Sequence, residues 1–305
     1  MPSTRFRSRI FLILFCLVVG GMGYIIVRHV HQIRTYRFAL HPPMLVLAVF
    51  FFALNFLFTH TVFYLYCRFQ QVSIPYIGAL KASVLGGLGK YVPIKVGTVI
   101  GKYMLLKVHN IRSRQAWRAV GFETITFIFS GTLLAWSFMR SLQKQALLAP
   151  EVSNLSGPLL GAVLVLACLF LLGLVAFPPK AAPRFYLSAL AVVLPLAFLS
   201  WLSGAAGFYC LAKAIDVSQL QHNFFVLSFA FVVSYVVGFI VIFMPGGIGI
   251  REGALIVTLK PFYPLWYISI LALACRILLT LMELVTAFAF IRVKGSQTTG
   301  SVTDG

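Results

Sequence analysis

Charge is what this sequence has least of. Only 10% of its 305 residues are Asp, Glu, Lys or Arg, where soluble domains carry about a quarter, which excludes an ordinary soluble globule. Acidic residues are scarcer still, 6 against 25 Lys and Arg, for a formal charge of +19. Cysteine and histidine are sparse as well. Cys16, Cys67, Cys168, Cys210 and Cys275 lie within or at the ends of apolar runs without Cys-x-x-Cys spacing, the pattern of buried free thiols. His29-x-His31 is the one near pair of histidines, and it lacks further ligands for a metal. Nucleotide loops fail on spacing. Gly86-Gly87-Leu88-Gly89-Lys90 would need glycine at Val84 and Ser or Thr at Tyr91, and Gly253 falls one position too late after Gly247-Ile248-Gly249. No metal, cofactor or catalytic constellation is expected.

Hydrophobic residues, by contrast, make up 60% of the chain and aromatics 15%, with a mean hydropathy of +0.96. That excludes disorder and describes a polytopic membrane protein. Its basic excess sits between apolar runs, so the expected partner is an anionic lipid surface or headgroup rather than nucleic acid. A membrane helix needs about 20 apolar residues, and such runs occupy 10–27, 44–67, 117–139, 158–177, 186–211, 224–244 and 265–291. The runs are continuous, unlike the alternating strands of a barrel. Two further stretches, 72–108 and 246–261, are apolar but interrupted by Gly and Pro. The first run follows Arg5, Arg7 and Arg9 but has no small-x-small cleavage site, and reads as a retained helix. A cytoplasmic N-terminus places twice as many Lys and Arg inside as outside, as the positive-inside rule requires. Arg292 and Lys294 directly after the last run conflict with seven crossings, so the count is seven or eight. Residues 1–294 read as one transmembrane domain and 295–305 as a disordered tail.

The two interrupted stretches share a spacing. Gly86, Pro93, Gly97 and Gly101 recur as Gly238, Pro245, Gly249 and Gly253, each 152 residues on, half the chain length. Paired Gly/Pro breaks in corresponding halves point to the binding site of a transporter. A helix broken within the membrane exposes amides that only protein or a wet cavity can satisfy, and the restarted half-helix offers a positive N-terminus suited to an anion. Alternatively, Gly97-x-x-x-Gly101 and Gly249-x-x-x-Gly253 are small-residue packing faces.

Charges inside these stretches are costly. Lys90, Lys95 and Lys102 bracket the first break and either snorkel or meet a counter-charge such as an anionic headgroup, whereas Arg112, Arg114 and Arg118 are topology markers. Of the acids, Glu123 lies early in the third run, Glu252 follows Arg251 at the second break, and Glu283 lies deep in the last run with Arg276. Arg276 and Glu283 share a helix face about 10 Å apart along the axis, so partners on other helices are as plausible as each other. A structural ion pair is the reading favoured for Glu283.

Phe243-Met244-Pro245-Gly246-Gly247-Ile248-Gly249-Ile250-Arg251-Glu252-Gly253 and Leu88-Gly89-Lys90-Tyr91-Val92-Pro93-Ile94-Lys95-Val96-Gly97 resemble the hallmark segments of the lysylphosphatidylglycerol synthase transmembrane-region family. That family includes the flippase domain of the bacterial multiple peptide resistance factor and many stand-alone membrane proteins. Ala274-Cys275-Arg276 and Glu123 fit its pattern, and Glu283 departs from it by standing where a proline is expected. The resemblance implies a flippase-like, all-α fold with two re-entrant segments related by an inverted repeat, in a bacterial cytoplasmic membrane. In the resistance factor such a domain moves an aminoacylated phospholipid between leaflets; the domain that synthesises the lipid has no counterpart among these residues.

The resulting expectation is a non-enzymatic lipid transporter for a phosphate-bearing headgroup. Its candidate site comprises Lys90, Pro93, Lys95, Gly97, Glu123, Pro245, Gly246, Gly247, Gly249, Arg251, Glu252 and Arg276. Lys90, Lys95, Arg251 and the half-helix ends would hold the phosphate, Glu123 and Glu252 would balance them or meet an amino or sugar group, and Arg276 would pair with one of these acids. The alternatives are a membrane-embedded glycosyl or aminoacyl transferase component with a soluble lipid-modifying partner, and a small-anion carrier.

Overall fold

The computed structural model describes residues 38–91, 97–108, 111–145, 183–217, 220–241 and 249–292, together with positions 161 and 165. Among these residues the chain is helical apart from one short ribbon. The ribbon pairs β1 (Phe38–Leu40) antiparallel with β2 (Ile215–Val217), Ala39 opposite Asp216. Helix α1 (Pro42–Phe69) starts on Pro42 and Pro43, tolerated there because first-turn amides have no helical partner. Helix α2 (Tyr76–Gly87) runs into a tight 3-10 turn over Leu88–Tyr91, and α3 (Gly97–Val108) follows. Helix α4 (Ser113–Lys144) and helix α5 (Pro183–Ala214) are each 32 residues long. Helix α6 (Phe224–Ile240) is capped by Asn223, whose Oδ1 accepts from the Phe225 and Val226 amides at 2.9 and 3.2 Å. The series closes with α7 (Ile250–Leu259) and α8 (Leu265–Arg292).

Helices α1, α4, α8 and residues Ala191–Ala214 of α5 are long and apolar enough to cross a membrane. Within the apolar run expected over 224–244, α6 ends at Ile240. Its 17 residues span about 26 Å at 1.5 Å per residue, short of the roughly 30 Å hydrocarbon core. The expected spans at 10–27 and 158–177 lie outside the described residues, as does the tail at 295–305.

Helices α4 and α5 are central, with 56% and 50% of their most apolar windows buried, against 22% for α1 and 28% for α8. The outer faces carry exposed Val46, Phe50 and Leu57 on α1, and Ile277, Leu281, Leu284 and Phe288 on α8. Hydrocarbon is as apolar as these side chains, so burial alone gives helices little reason to associate, and polar contacts help to hold them. Asn55 on α1 donates to the Ser200 carbonyl and hydroxyl on α5 at 2.8 and 3.0 Å. Trp201 on α5 donates its indole N–H to the Phe127 carbonyl on α4 at 3.2 Å. In the connection before α8, burial pushes the Tyr263 phenol up, keeping it a donor to the Gln221 carbonyl.

The two interrupted stretches fold alike in one respect: α2 packs along α3, and α6 packs along α7. At the first contact the backbones touch. A Cβ on Gly101 would lie 2.5 Å from the Gly86 carbonyl oxygen, and one on Gly86 would lie 2.6 Å from the Lys102 amide. At the second, a Cβ on Gly238 would meet the Arg251 side chain at 2.7 Å. Gly86 and Gly238 are the pair related by the 152-residue offset.

Candidate functional site

The first stretch ends in a closed ion pair. Lys102 on α3 donates to both carboxylate oxygens of Glu123 on α4, at 2.6 and 2.8 Å. The two side chains are 8% and 5% exposed. The Lys102 ammonium also lies 4.8 Å from the centre of the Phe63 ring on α1, a cation–π contact that seals its remaining face. Of the two options open to Lys102 in the sequence, snorkelling or a counter-charge, the fold supplies the second, from its own α4.

The second stretch places a helix start where charge is handled. Gly249 has φ 81 and ψ −37, a conformation that disfavours any side chain, and it turns the chain into α7. Glu252, in the first turn, accepts the Gly249 amide on Oε2 at 2.7 Å, the returning half of a capping box. Its other oxygen is paired with the Arg276 guanidinium on α8. Both oxygens of a buried carboxylate are thus engaged, and α7 is fastened to α8 at its N-terminus.

Arg251 is held differently. Its guanidinium carbon lies 4.1 Å from the centre of the Tyr235 ring and 5.7 Å from that of Phe239, both on α6. Its Nε is buried and has no hydrogen-bond partner among the described residues. Aromatic faces stabilise the cation without consuming its donors. The arginine stands on the wall of a small, partly open cavity between α6, α7 and α8. Tyr235, Glu252, Arg276, Thr280 and Glu283 stand on the same wall.

The two halves therefore use one device with opposite polarity. In each, the short helix after the break is tied by an ion pair to the next long helix: cation on α3 and anion on α4, then anion on α7 and cation on α8. Shifted by 152 residues, Lys102 falls beside Glu252 within two positions, and Glu123 falls on Cys275, next to Arg276.

Of the expected site residues, the structure brings Arg251, Glu252 and Arg276 to one cavity, ties Gly249 to Glu252 through its amide, and places Glu123 elsewhere, against Lys102. Gly97 opens α3, and Lys90 falls in the 3-10 turn before it. Pro93, Lys95, Pro245, Gly246 and Gly247 lie outside the described residues. Tyr235 and Glu283 were not among the expected site residues. Glu283 carried a signal, an ionisable group deep in an apolar run; Tyr235 carried none, because an aromatic in an apolar helix reads as core or lipid-facing.

The sequence model of the lysylphosphatidylglycerol synthase TM region matches residues 10–286. The chain belongs to this family and is an integral membrane protein of a lipid-related family. No curated protein matches it by sequence.

Proposed function

We propose that the protein moves, or helps to move, a phospholipid or other lipid with a phosphate-bearing headgroup between the leaflets of a bacterial cytoplasmic membrane, its N-terminus on the cytoplasmic side. The observation that carries this reading is Arg251, a half-buried arginine held on aromatic faces in a membrane-domain cavity, its buried Nε without a hydrogen-bond partner among the described residues. A cation at the centre of a membrane helix costs about 2.5–3.5 kcal/mol on insertion scales, which an anionic headgroup would offset. The N-terminus of α7 adds its helix dipole and amides.

In this account Arg251 binds the phosphate, while the Glu252–Arg276 pair fixes the position of α7 so that Arg251 faces the cavity. The breaks around Pro93 and Pro245, with Lys90, Lys95, Gly97, Gly246, Gly247 and Gly249, form two re-entrant elements of an inverted repeat, and rocking of one half against the other exposes the site to each leaflet in turn. The common 152-residue spacing and the opposite-polarity ion pairs support that arrangement. The domain performs no chemistry of its own on the lipid.

The test is transbilayer movement of leaflet-labelled phospholipids in liposomes containing the purified protein, followed by an impermeant quencher. Accelerated movement is expected, falling about tenfold or more in Arg251→Ala, the weight of a charge-assisted hydrogen bond of about 1.5–3 kcal/mol. Absence of movement across several headgroups would overturn the reading. Saturable anion uptake alone would then identify a small-anion carrier, and lipid modification only with a soluble partner would identify a transferase component.

A further inference from the structure

A tyrosine hydroxyl taken out of water usually finds a hydrogen-bond partner. Tyr66 shares a hydrogen bond with Thr126 on α4, Tyr263 donates to the Gln221 carbonyl, and Tyr267 donates to the Ala212 carbonyl. The hydroxyl of Tyr235 on α6 has no hydrogen bond among the described residues. The ring itself is occupied: the Arg251 guanidinium carbon lies 4.1 Å from its centre, and the Phe231 ring lies at 4.6 Å. The ionisable groups that the phenol oxygen feels are Cys275, Arg251, Glu283 and Arg276, and all of them stand with Tyr235 on the wall of the cavity between α6, α7 and α8. The hydroxyl is therefore on the cavity side of the ring. Arg251 Nε likewise has no hydrogen-bond partner among the described residues. One stacked pair thus presents two donors, a guanidinium N–H and a phenol O–H, to one cavity. The carboxylates of the wall are committed elsewhere, Glu252 to the Gly249 amide and Arg276, and Glu283 to an interaction of its own.

We infer that Tyr235 is a second ligand-binding residue of this cavity, its hydroxyl donating to an oxygen of the same phosphate that Arg251 holds. The inference rests on the reading of the cavity as a phosphate site. The non-bridging oxygens of a phosphate offer more lone pairs than one guanidinium can fill, so a second donor beside Arg251 has an acceptor waiting. A phenol supplies that donor without placing another charge in the membrane, where each cation is costly. The hydrogen bond it makes to an anion is charge-assisted, roughly twice as strong as one between neutral groups. Stacking of the guanidinium on the ring fixes the spacing of the two donors, so that Tyr235 both carries Arg251 and works alongside it. Lipid phosphate and free phosphate share this chemistry, and the experiment separates them.

Inorganic phosphate and short-chain phosphatidylglycerol are each titrated against the full-length protein in detergent at constant ionic strength. The readouts are the rise in melting temperature and the tyrosine ultraviolet difference spectrum, which shifts to the red when a phenol begins to donate to an anion. Tyr235→Phe keeps the ring under Arg251 and removes only the hydroxyl. It should leave the melting temperature of the ligand-free protein unchanged, weaken binding about tenfold or more, the weight of a hydrogen bond to a charged group, and abolish the difference signal. If Tyr235→Phe binds as the wild type does while Tyr235→Leu does not, the ring is a platform alone and the inference is overturned. Absence of a tyrosine signal at saturation in the wild type overturns it whether or not any variant folds. Lipid binding lost in Arg251→Ala but untouched in Tyr235→Phe would sink this inference and leave the transport reading standing. Phosphate binding that depends on the Tyr235 hydroxyl, with no binding of the lipid, would do the reverse. No binding of either probe would overturn both.

Discussion

Lys102 and Glu123 are joined by two short hydrogen bonds and almost fully buried. Removing one partner of such a pair leaves an uncompensated charge, typically at a cost of 3–5 kcal/mol, whereas replacing both by apolar groups is often close to neutral. Lys102→Leu and Glu123→Leu should therefore each lower the melting temperature of the purified protein strongly, and the double variant should recover most of the loss. If the double variant is as unstable as the singles, the pair is more than a mutual neutralisation. The same logic sets Arg251 apart. It stands on aromatic rings, its Nε has no hydrogen-bond partner among the described residues, and the buried Glu252 is engaged by Arg276, so truncating it should impair lipid movement without a comparable loss of stability. Which residues held charge in the membrane was legible from the sequence, since an ionisable group in an apolar run is a local feature. Which partner each one takes was not. Lys102–Glu123 and Glu252–Arg276 join residues 21 and 24 positions apart on different helices, and only the packing of those helices decides them.

Among the elements, the two interrupted stretches separate structural glycines from functional ones. At Gly101 a methyl group would strike the Gly86 carbonyl oxygen at 2.5 Å. Backbone cannot rotate away as a side chain can, so α2 and α3 must part. Overpacking of this kind costs about 1–3 kcal/mol, and Gly101→Ala should show a clear drop in melting temperature. At Gly238 the obstructing atoms are Arg251 Cγ and Nε, the stem of a flexible side chain that can be displaced. Gly238→Ala should leave the melting temperature within a degree or two of wild type on that argument while slowing lipid movement, because it shifts the guanidinium off Tyr235. Equal destabilisation by both substitutions would contradict this division. The long helices were readable because an apolar run of sufficient length is nearly sufficient for a span. The end of α6 at Ile240, short of the apolar run's own end at Met244, was not, because the apolar composition continues unchanged past it. Neither was the ribbon of Phe38–Leu40 with Ile215–Val217, three residues a side and far apart in sequence, too brief to leave a periodic signal.

Seen as a whole molecule, the described helices enclose an apolar core into which a few paired charges are set. Central α4 and α5 are half buried, while α1 and α8 turn large apolar side chains outward. Each half fastens its short helix to a long one through an ion pair, and the signs are exchanged between halves. Lys102 and Glu123 close on each other, while the second half leaves Arg251 on the wall of a cavity beside Glu283. The proposed lipid transport rests on this asymmetry: one half locked by its own ion pair, the other with a cation on a cavity wall. The most direct measurement is where a lipid headgroup resides. Liposomes containing the protein and a phosphatidylethanolamine with a photoreactive headgroup would be irradiated and the adducts mapped by mass spectrometry. The account predicts adducts concentrated on α6, α7 and α8 around Tyr235, Arg251 and Thr280, and lost in Arg251→Ala. Adducts scattered over the outer faces of α1 and α8 and indifferent to that substitution would contradict it.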